Sequence, residues 1–155
     1  MTGIIRFVYL LALTVWIGEI VFFSFVAAPA IFRVLGAPRA GEVVAAIFPR
    51  YYALGIASGA IALATAVVLG GRATGDGPWR AVALALSLGL AATLWAGLRV
   101  YPETRRVRAE MEIAGPASPA AERFRRLHRG AVALNTASLL GALTGLGLSA
   151  GALRS

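Results

Sequence analysis

Four long apolar stretches constrain the fold of this chain more than any other feature of its sequence. They cover residues 4–32, 51–71, 79–101 and roughly 130–153, and each is near or above the roughly 20 residues that a helix needs to cross a hydrocarbon core. Hydrophobic residues make up 59% of the chain and charged residues 14%, whereas soluble domains are about half apolar and about a quarter charged. The stretches are too long for strands of a membrane barrel, so helices, which satisfy their own backbone hydrogen bonds, are the expected membrane spans.

These stretches predict an all-α fold, an integral membrane four-helix bundle that forms a single transmembrane domain over residues 1–155. The expected helices are about 4–32, 51–71, 79–101 and 119–152. The last helix begins before its apolar stretch because Ser118 is a hydroxyl N-cap and is followed by proline at the first helical position. At 1.5 Å per residue, a helix from residue 119 to 150 alone is about 48 Å long, more than a membrane thickness.

The two connections on one side of the bundle are predicted to differ in structure. Residues 33–50 contain a glycine and two prolines and are predicted to be a short linker. Residues 103–113 are predicted to extend the third helix, followed by a turn at Gly115 and the start of the fourth helix at Pro119. Helices 3 and 4 are therefore expected to continue beyond the bundle as a charged cytoplasmic helical hairpin.

The distribution of arginine predicts the orientation in the membrane. All 15 basic residues are arginine. If successive loops alternate sides, four of them share one side: Arg6, Arg72, Arg80 and Arg154. The remaining eleven share the other side, among them the six of the hairpin: Arg105, Arg106, Arg108, Arg123, Arg125 and Arg126. The positive-inside rule places the richer side in the cytoplasm, so the chain is expected to be a multi-pass protein of the cell's inner membrane with both termini periplasmic or external.

The net charge of +8 has a simple interpretation in this topology. The six hairpin arginines are expected to contact anionic lipid headgroups or a partner protein. Nucleic acid is not an expected partner, because no aromatic-rich soluble platform accompanies the positive charge.

Small residues at helical spacing predict close contacts between the helices. Lipid removes most of the hydrophobic drive for helix association, so backbones must approach closely. The candidates lie on the second, third and fourth helices: Gly55, Gly59, Gly89, Thr93, Gly97, Gly141 and Gly145.

Glu19 is the residue that most needs a physical explanation, because it lies about midway along the first apolar stretch. Ionisable side chains at that depth are costly and normally face the bundle and find a partner. Arg99, His128 and Asn135 have the right depth or reach, and Tyr51 enters the second helix from the same side. His128 and Asn135, seven residues apart, share one helix face.

Two interpretations of this intramembrane polar cluster stay open. In the first, Glu19 stabilises the bundle by pairing with Arg99 or Asn135, or is simply protonated, because removal from water disfavours a charged carboxylate. In the second, the cluster is a proton or substrate site. Arg99 also has a simpler role open to it, since a long arginine side chain can extend to the headgroups.

The sequence offers few ligands for a metal or cofactor. There is no cysteine, and the two methionines and His128, the single histidine, cannot build a conventional copper, zinc or bis-histidine haem site. His128 as a single axial haem ligand is the option that is left. We expect no cofactor.

Four ordered motifs resemble those of a known family. They are WIGEIVFFSFVAAPAIFRVL, AGEVVAAIFPRYYALG, a proline at Pro102 followed by a charged stretch, and FRRLHRGAVALN. Over nearly its whole length the chain resembles the transmembrane protein 205-like domain family. The resemblance implies a four-helix membrane protein and singles out these matching positions: Trp16, Gly18, Pro29, Phe32, Phe48, Pro49, Tyr51, Tyr52, Pro102, His128 and Asn135. It implies no particular reaction.

Two classes of function follow from these observations. A small bundle with a charged hairpin and no soluble domain fits an accessory or structural subunit of a larger membrane complex, with other membrane subunits or further copies of itself as partners. The alternative is a proton-linked small-molecule carrier, or a membrane enzyme, that uses Glu19, Arg99, His128 and Asn135. An enzyme is the less expected of these, because no nucleotide-binding loop, nucleophile elbow or zinc motif is present in the sequence.

Overall fold

The computed structural model describes residues 2–73 and 77–153, and these residues are almost entirely helical, with no strand among them. The elements in chain order are α1 (Thr2–Phe22), a π-helical turn (Phe23–Ala27), α2 (Ala28–Arg72), α3 (Trp79–Trp95), a second π-helical turn (Ala96–Val100), α4 (Tyr101–Ala114) and α5 (Pro119–Ala152). Three helical runs among the described residues are long and apolar enough to cross a membrane: Thr2–Arg72, Trp79–Ala114 and Pro119–Ala152. The predicted all-α membrane character is confirmed at this level.

Gly36 interrupts the first run. Its backbone has φ 69° and ψ 165°, a combination that side chains with a Cβ essentially do not adopt. The predicted linker over residues 33–50 is wrong, because the chain is helical on both sides of this single residue. Pro38 does not prevent the second helix from starting, since it lies in the first turn, where a backbone N–H has no helical partner.

Pro49 lies inside α2, and a contact from another helix offsets the hydrogen bond that it removes. Proline has no N–H to donate to the carbonyl four residues earlier, which here belongs to Ala45. The hydroxyl of Tyr101 donates to that carbonyl oxygen at 2.9 Å. The helix therefore continues through Pro49 with this acceptor satisfied, as a low-dielectric environment requires.

Each π-helical turn ends two residues before a proline. Phe23–Ala27 precedes Pro29, and Ala96–Val100 precedes Pro102. A proline ring crowds the carbonyl of the preceding turn and leaves it without its usual donor. Widening that turn to a π-helical spacing lets the helix pass the proline without breaking.

The segments on either side of Gly36 pack against each other in antiparallel fashion. The Trp16 ring lies 3.1 Å from the point where a side chain on Gly59 would begin, and the Glu19 carboxyl lies beside Gly55. The rings of Phe23 and Tyr51 are 5.2 Å apart between centroids. Because α1 residues further along the chain meet earlier residues of α2, the chain reverses direction at Gly36.

The backbones of α3 and α5 approach each other closely. A Cβ on Gly141 would lie 2.8 Å from the carbonyl oxygen of Ala85 and 2.8 Å from the Cα of Gly89. Thr93 Oγ1 donates to Ser138 Oγ at 2.9 Å on the same interface. The predicted packing role of these glycines is confirmed, and it places the two backbones nearly in contact.

The core contains a few large side chains, whereas much apolar surface faces outward. Tyr9, Leu13, Trp16, Val82 and Leu86 are fully buried. Exposed residues include large hydrophobic side chains from every apolar stretch, such as those of Phe25, Leu54, Leu88 and Leu140. Such an exterior fits a protein whose solvent is lipid.

The connection between α4 and α5 is a tight helical hairpin. Gly115 turns the chain with φ 89°, and the Ser118 hydroxyl oxygen accepts a hydrogen bond from the Ala121 N–H at 3.3 Å. The predicted N-cap is confirmed, and α5 runs unbroken from Pro119 past Asn135. Val107 and Ala121 are buried, so the hairpin has an apolar seam of its own.

Candidate functional site

A lateral groove of about 610 Å³ separates the first helical run from α5. One wall is the stretch 20–32, which contains the first π-helical turn, and the other wall is the stretch 128–139 of α5. Its mouth at one end is formed by Phe32, His128 and Arg105. We refer to this cavity as the lateral groove.

Aromatic rings form the floor of the lateral groove. Phe23, Phe48, Tyr51, Tyr52 and Tyr101 make a continuous cluster in which neighbouring ring centroids lie 5.2 to 5.9 Å apart. Tilted and edge-on pairs at this spacing are favourable beyond the apolar area that they bury. The floor is therefore rigid and mostly apolar.

A chain of hydrogen bonds crosses the deep part of the groove. The Tyr51 hydroxyl donates to Asn135 Oδ1 at 2.6 Å, and Asn135 Nδ2 donates to Ser24 Oγ at 3.1 Å. These bonds join the first π-helical turn, α2 and α5 through side chains alone. The amide of Asn135 thus uses both of its ends within the protein.

Behind this hydrogen-bond chain lies a second, much smaller cavity of about 10 Å³. Trp16, Glu19, Thr93 and Ser138 line it, and it shares Asn135 with the lateral groove. Its volume is close to the space that one water molecule needs. We refer to it as the inner cavity.

Two polar atoms at the inner cavity have no hydrogen-bond partner among the described residues. They are Glu19 Oε2 and the indole Nε1 of Trp16, and both atoms are buried. An unpaired carboxylate in an apolar interior costs several kcal/mol. Glu19 therefore needs a proton, a cation or a water molecule in this position.

The structure brings some of the predicted site residues together and separates others. Glu19, Tyr51 and Asn135 meet at the inner cavity. Arg99 is exposed and makes no hydrogen bond or ion pair within residues 2–73 and 77–153, so the interpretation that pairs it with Glu19 is wrong. His128 lies at the mouth of the lateral groove, where its ring stacks on Phe124 at 6.3 Å.

Several residues that shape the site were not among the predicted site residues. Trp16 supplies an unpaired N–H, Ser24 completes the hydrogen-bond chain, and Tyr101 joins the groove floor. The one usable signal was the spacing of Trp16 and Glu19, three residues apart on one helix face. Ser24 and Tyr101 depend on contacts between distant helices, which no local pattern shows.

The six predicted contact arginines of the hairpin divide into two groups. Arg123 bridges Glu103 at 2.9 Å and Glu110 at 3.5 Å, and Arg106 and Arg108 pair with glutamates four residues on, at 3.4 and 2.9 Å. Arg108 also donates to the Pro38 carbonyl at 3.0 Å. Exposed and without an ion pair in the described part of the chain are Arg105, Arg125 and Arg126.

No group of three or more histidine and acidic side chains gathers to hold a metal ion within the described residues. The two unpaired polar atoms of the inner cavity, a carboxyl oxygen and an indole N–H, do not make a ligand set for a metal. The expectation that the protein uses no cofactor stays a prediction.

Comparison with known families gives one match. The model described as "Domain of unknown function (DUF4149)" matches residues 11–112, about two thirds of the chain. The chain belongs to this family. The DUF4149 match includes Glu19, Tyr51 and Arg105 but ends before α5, which contributes Asn135 and His128. Membership of the transmembrane protein 205-like domain family is not confirmed by this match and stays a prediction.

Two further comparisons give no match. No curated protein and no solved structure is significantly similar to this chain. The function of this DUF4149 protein must therefore be argued from the groove, the inner cavity and the charged hairpin.

Proposed function

We propose that the chain crosses the inner membrane four times, with both termini outside and the α4–α5 hairpin in the cytoplasm. The reversal at Gly36 supports two crossings within the run Thr2–Arg72. The excess of arginine on the hairpin side supports the orientation. Arg154, which is included in that count, lies outside the described residues. The last residue, Ser155, lies outside them as well.

We further propose that this protein acts as an accessory or structural subunit of a larger membrane complex. The observation that carries the proposal is the hairpin, which presents unpaired arginines on a fixed helical frame. Ion pairs from Arg123 to both Glu103 and Glu110 join α4 to α5. The buried Val107 and Ala121 fix the same pair of helices from inside.

A frame of this kind suits recognition of an acidic protein surface. Exposed ion pairs contribute little individually, but here they neutralise part of the hairpin and leave three of its six arginines without an ion pair to any described residue. Arg125 and Arg126 are adjacent on α5 and are both exposed. Unpaired guanidinium groups steer association and bind carboxylates in bidentate fashion.

Charge reversal of these two arginines tests the proposal. The double variant Arg125→Glu, Arg126→Glu is expected to lower the amount of partner that copurifies with the protein after mild extraction by about tenfold or more, because like charges then face each other across the contact. The measurement is quantitative mass spectrometry of the copurified proteins, compared with the wild-type protein.

The matched control reverses two arginines at the opposite end of the bundle, Arg72→Glu and Arg80→Glu. It changes the net charge equally and is expected to leave the partner bound. Equal loss in both variants would mean that total charge, and not the hairpin, determines the association. A wild-type protein that extracts without any partner would refute the accessory-subunit proposal.

A second candidate function, a proton-linked carrier, is favoured by one specific observation. Glu19 Oε2 is buried without a hydrogen-bond partner among the described residues, and the inner cavity beside it shares a wall that includes Tyr51 and Asn135 with a groove that can hold a small molecule. A group that gains and loses a proton across such a wall could couple proton movement to a bound substrate. A second copy of the chain would supply the repeated half that solo carriers contain. A membrane enzyme would use the same residues, together with the hydroxyls of Thr93, Ser138, Tyr51 and Tyr52 that line the inner cavity.

A further inference from the structure

The lateral groove has the length of one leaflet of a bilayer. Its walls, 20–32 and 128–139, span about 16–18 Å at 1.5 Å per residue, and half of a hydrocarbon core is about 15 Å. The groove volume of about 610 Å³ lies within the range of about 300–1,000 Å³ that is usual for ligand sites. The dimensions therefore fit a membrane molecule that occupies a single leaflet.

The groove is closed at its inner end. Beyond it, α1 and α5 meet directly, and the Tyr9 hydroxyl donates to Ser149 Oγ at 3.0 Å. The two walls are separated at the other end, where Phe32 of α2 and His128 of α5 form the mouth. A partner helix that crosses the whole membrane would find only half of its length accommodated, whereas an acyl chain would be enclosed.

Most polar side chains along the groove have hydrogen-bond partners; among the described residues the exceptions are the Tyr52 hydroxyl on the floor and the two groups at the mouth. Ser24, Tyr51 and Asn135 bond one another, and Thr104 and Thr136 donate to carbonyls of their own helices at 2.7 and 3.0 Å. Arg105 and His128 line the mouth and make no ion pair among the described residues.

Arg105 differs from its neighbours in this respect. Arg106 and Arg108 each pair with a glutamate, while the Arg105 guanidinium stays unpaired next to an apolar cavity. A guanidinium binds phosphate oxygens through two parallel hydrogen bonds. A cation at the mouth and an apolar cavity behind it are complementary to an amphiphile with an anionic head.

We propose that the lateral groove binds one anionic phospholipid of the surrounding membrane. An acyl chain lies along the aromatic floor, and the headgroup phosphate bonds to Arg105 with His128 beside it. The proposal requires only that the protein lies in a bilayer, not that it has a protein partner. It can therefore fail or hold independently of the accessory-subunit function.

Native mass spectrometry of the purified full-length protein tests the proposal, with palmitoyl-oleoyl phosphatidylglycerol as the anionic probe and palmitoyl-oleoyl phosphatidylcholine as the probe with equal chains and no net charge. One phosphatidylglycerol per protein chain is expected, bound about tenfold more tightly than phosphatidylcholine. Both lipids offer a phosphate to Arg105, but the guanidinium at the mouth repels the choline cation of phosphatidylcholine, and a like-charge contact near a protein surface is worth about that factor. Arg105→Gln should remove this preference. Ala131→Phe, which places a ring inside the groove, should prevent binding of both lipids.

Each variant has a matched control. Arg80→Gln removes one exposed charge at the opposite end of the bundle, away from the groove, and Ala133→Phe adds the same ring on an exposed face of α5. Both controls should bind phosphatidylglycerol as the wild type does. The proposal is overturned if the two lipids bind equally to the wild type, if Ala131→Phe still binds lipid, or if Ala131→Phe instead dissociates a dimer, which would make a second copy the occupant.

Discussion

Replacing Gly141 with alanine is expected to destabilise the protein by about 3 kcal/mol, the upper part of the usual range for overpacking. The added methyl would lie 2.8 Å from both the Ala85 carbonyl oxygen and the Gly89 Cα. These are backbone atoms of α3, so no side chain can rotate away, and the two helices must separate. Separation would also lengthen the Thr93–Ser138 hydrogen bond, which is 2.9 Å in the native interface.

Gly147→Ala is the matched control on the same helix. No atom lies within 4 Å of a Cβ at Gly147, and alanine is the better helix former by about 1 kcal/mol. Denaturant unfolding of both variants in the same detergent should therefore show a large loss for Gly141→Ala and no loss for Gly147→Ala. Similar behaviour of the two would show that α3 and α5 do not approach as closely as described here.

Replacing Glu19 with methionine is expected to stabilise the protein by about 1–3 kcal/mol, the usual penalty of a buried polar group without a partner. Methionine has nearly the shape of glutamate and would fill the same space beside Gly55. Glu19 Oε2 makes no hydrogen bond among the described residues that would be lost. Denaturant unfolding of the wild type and of Glu19→Met gives the difference directly.

The sign of this effect separates the two interpretations of Glu19. If the carboxyl stabilised the bundle, Glu19→Met would lower the stability and Glu19→Gln, which keeps most of the hydrogen-bonding capacity, would not. A stabilising Glu19→Met means that the residue serves another role. In proteoliposomes, a carrier that uses Glu19 as its proton site should then lose pH-linked transport in Glu19→Gln while the variant folds normally.

Much of the helical architecture could be predicted from the sequence because its signals are local. The apolar stretches, the Ser118 cap and the glycine-rich faces each depend on residues a few positions apart. The prediction of a linker over 33–50 is wrong because it treats Pro49 as a helix breaker. The carbonyl of Ala45, which Pro49 leaves without its usual donor, here accepts a hydrogen bond from another helix. Its donor, Tyr101, is more than 50 residues away in the chain, where no local rule detects it.

The candidate site was less predictable for a related reason. The burial of Glu19 among neighbours of α2 follows from the cost of exposing a carboxyl to lipid. The position of Arg99 does not follow in the same way. In a regular α-helix, Arg99 would lie on the same face as the buried Ala96, three residues earlier. Both residues instead lie in the second π-helical turn, whose wider spacing changes the direction of their side chains.

The four-crossing arrangement is the claim on which the cytoplasmic hairpin and its partner depend, and single-cysteine labelling tests it most directly. The chain has no native cysteine, so Thr2→Cys, Val34→Cys, Gly77→Cys and Ala117→Cys each report one position, and all four sites are exposed. A membrane-impermeant maleimide on intact cells with a permeabilised outer membrane should label Thr2→Cys and Gly77→Cys, while Val34→Cys and Ala117→Cys should react only after lysis of the inner membrane. Labelling of Thr2→Cys and Gly77→Cys from opposite sides would contradict the account, because the run Thr2–Arg72 would then cross the membrane an odd number of times.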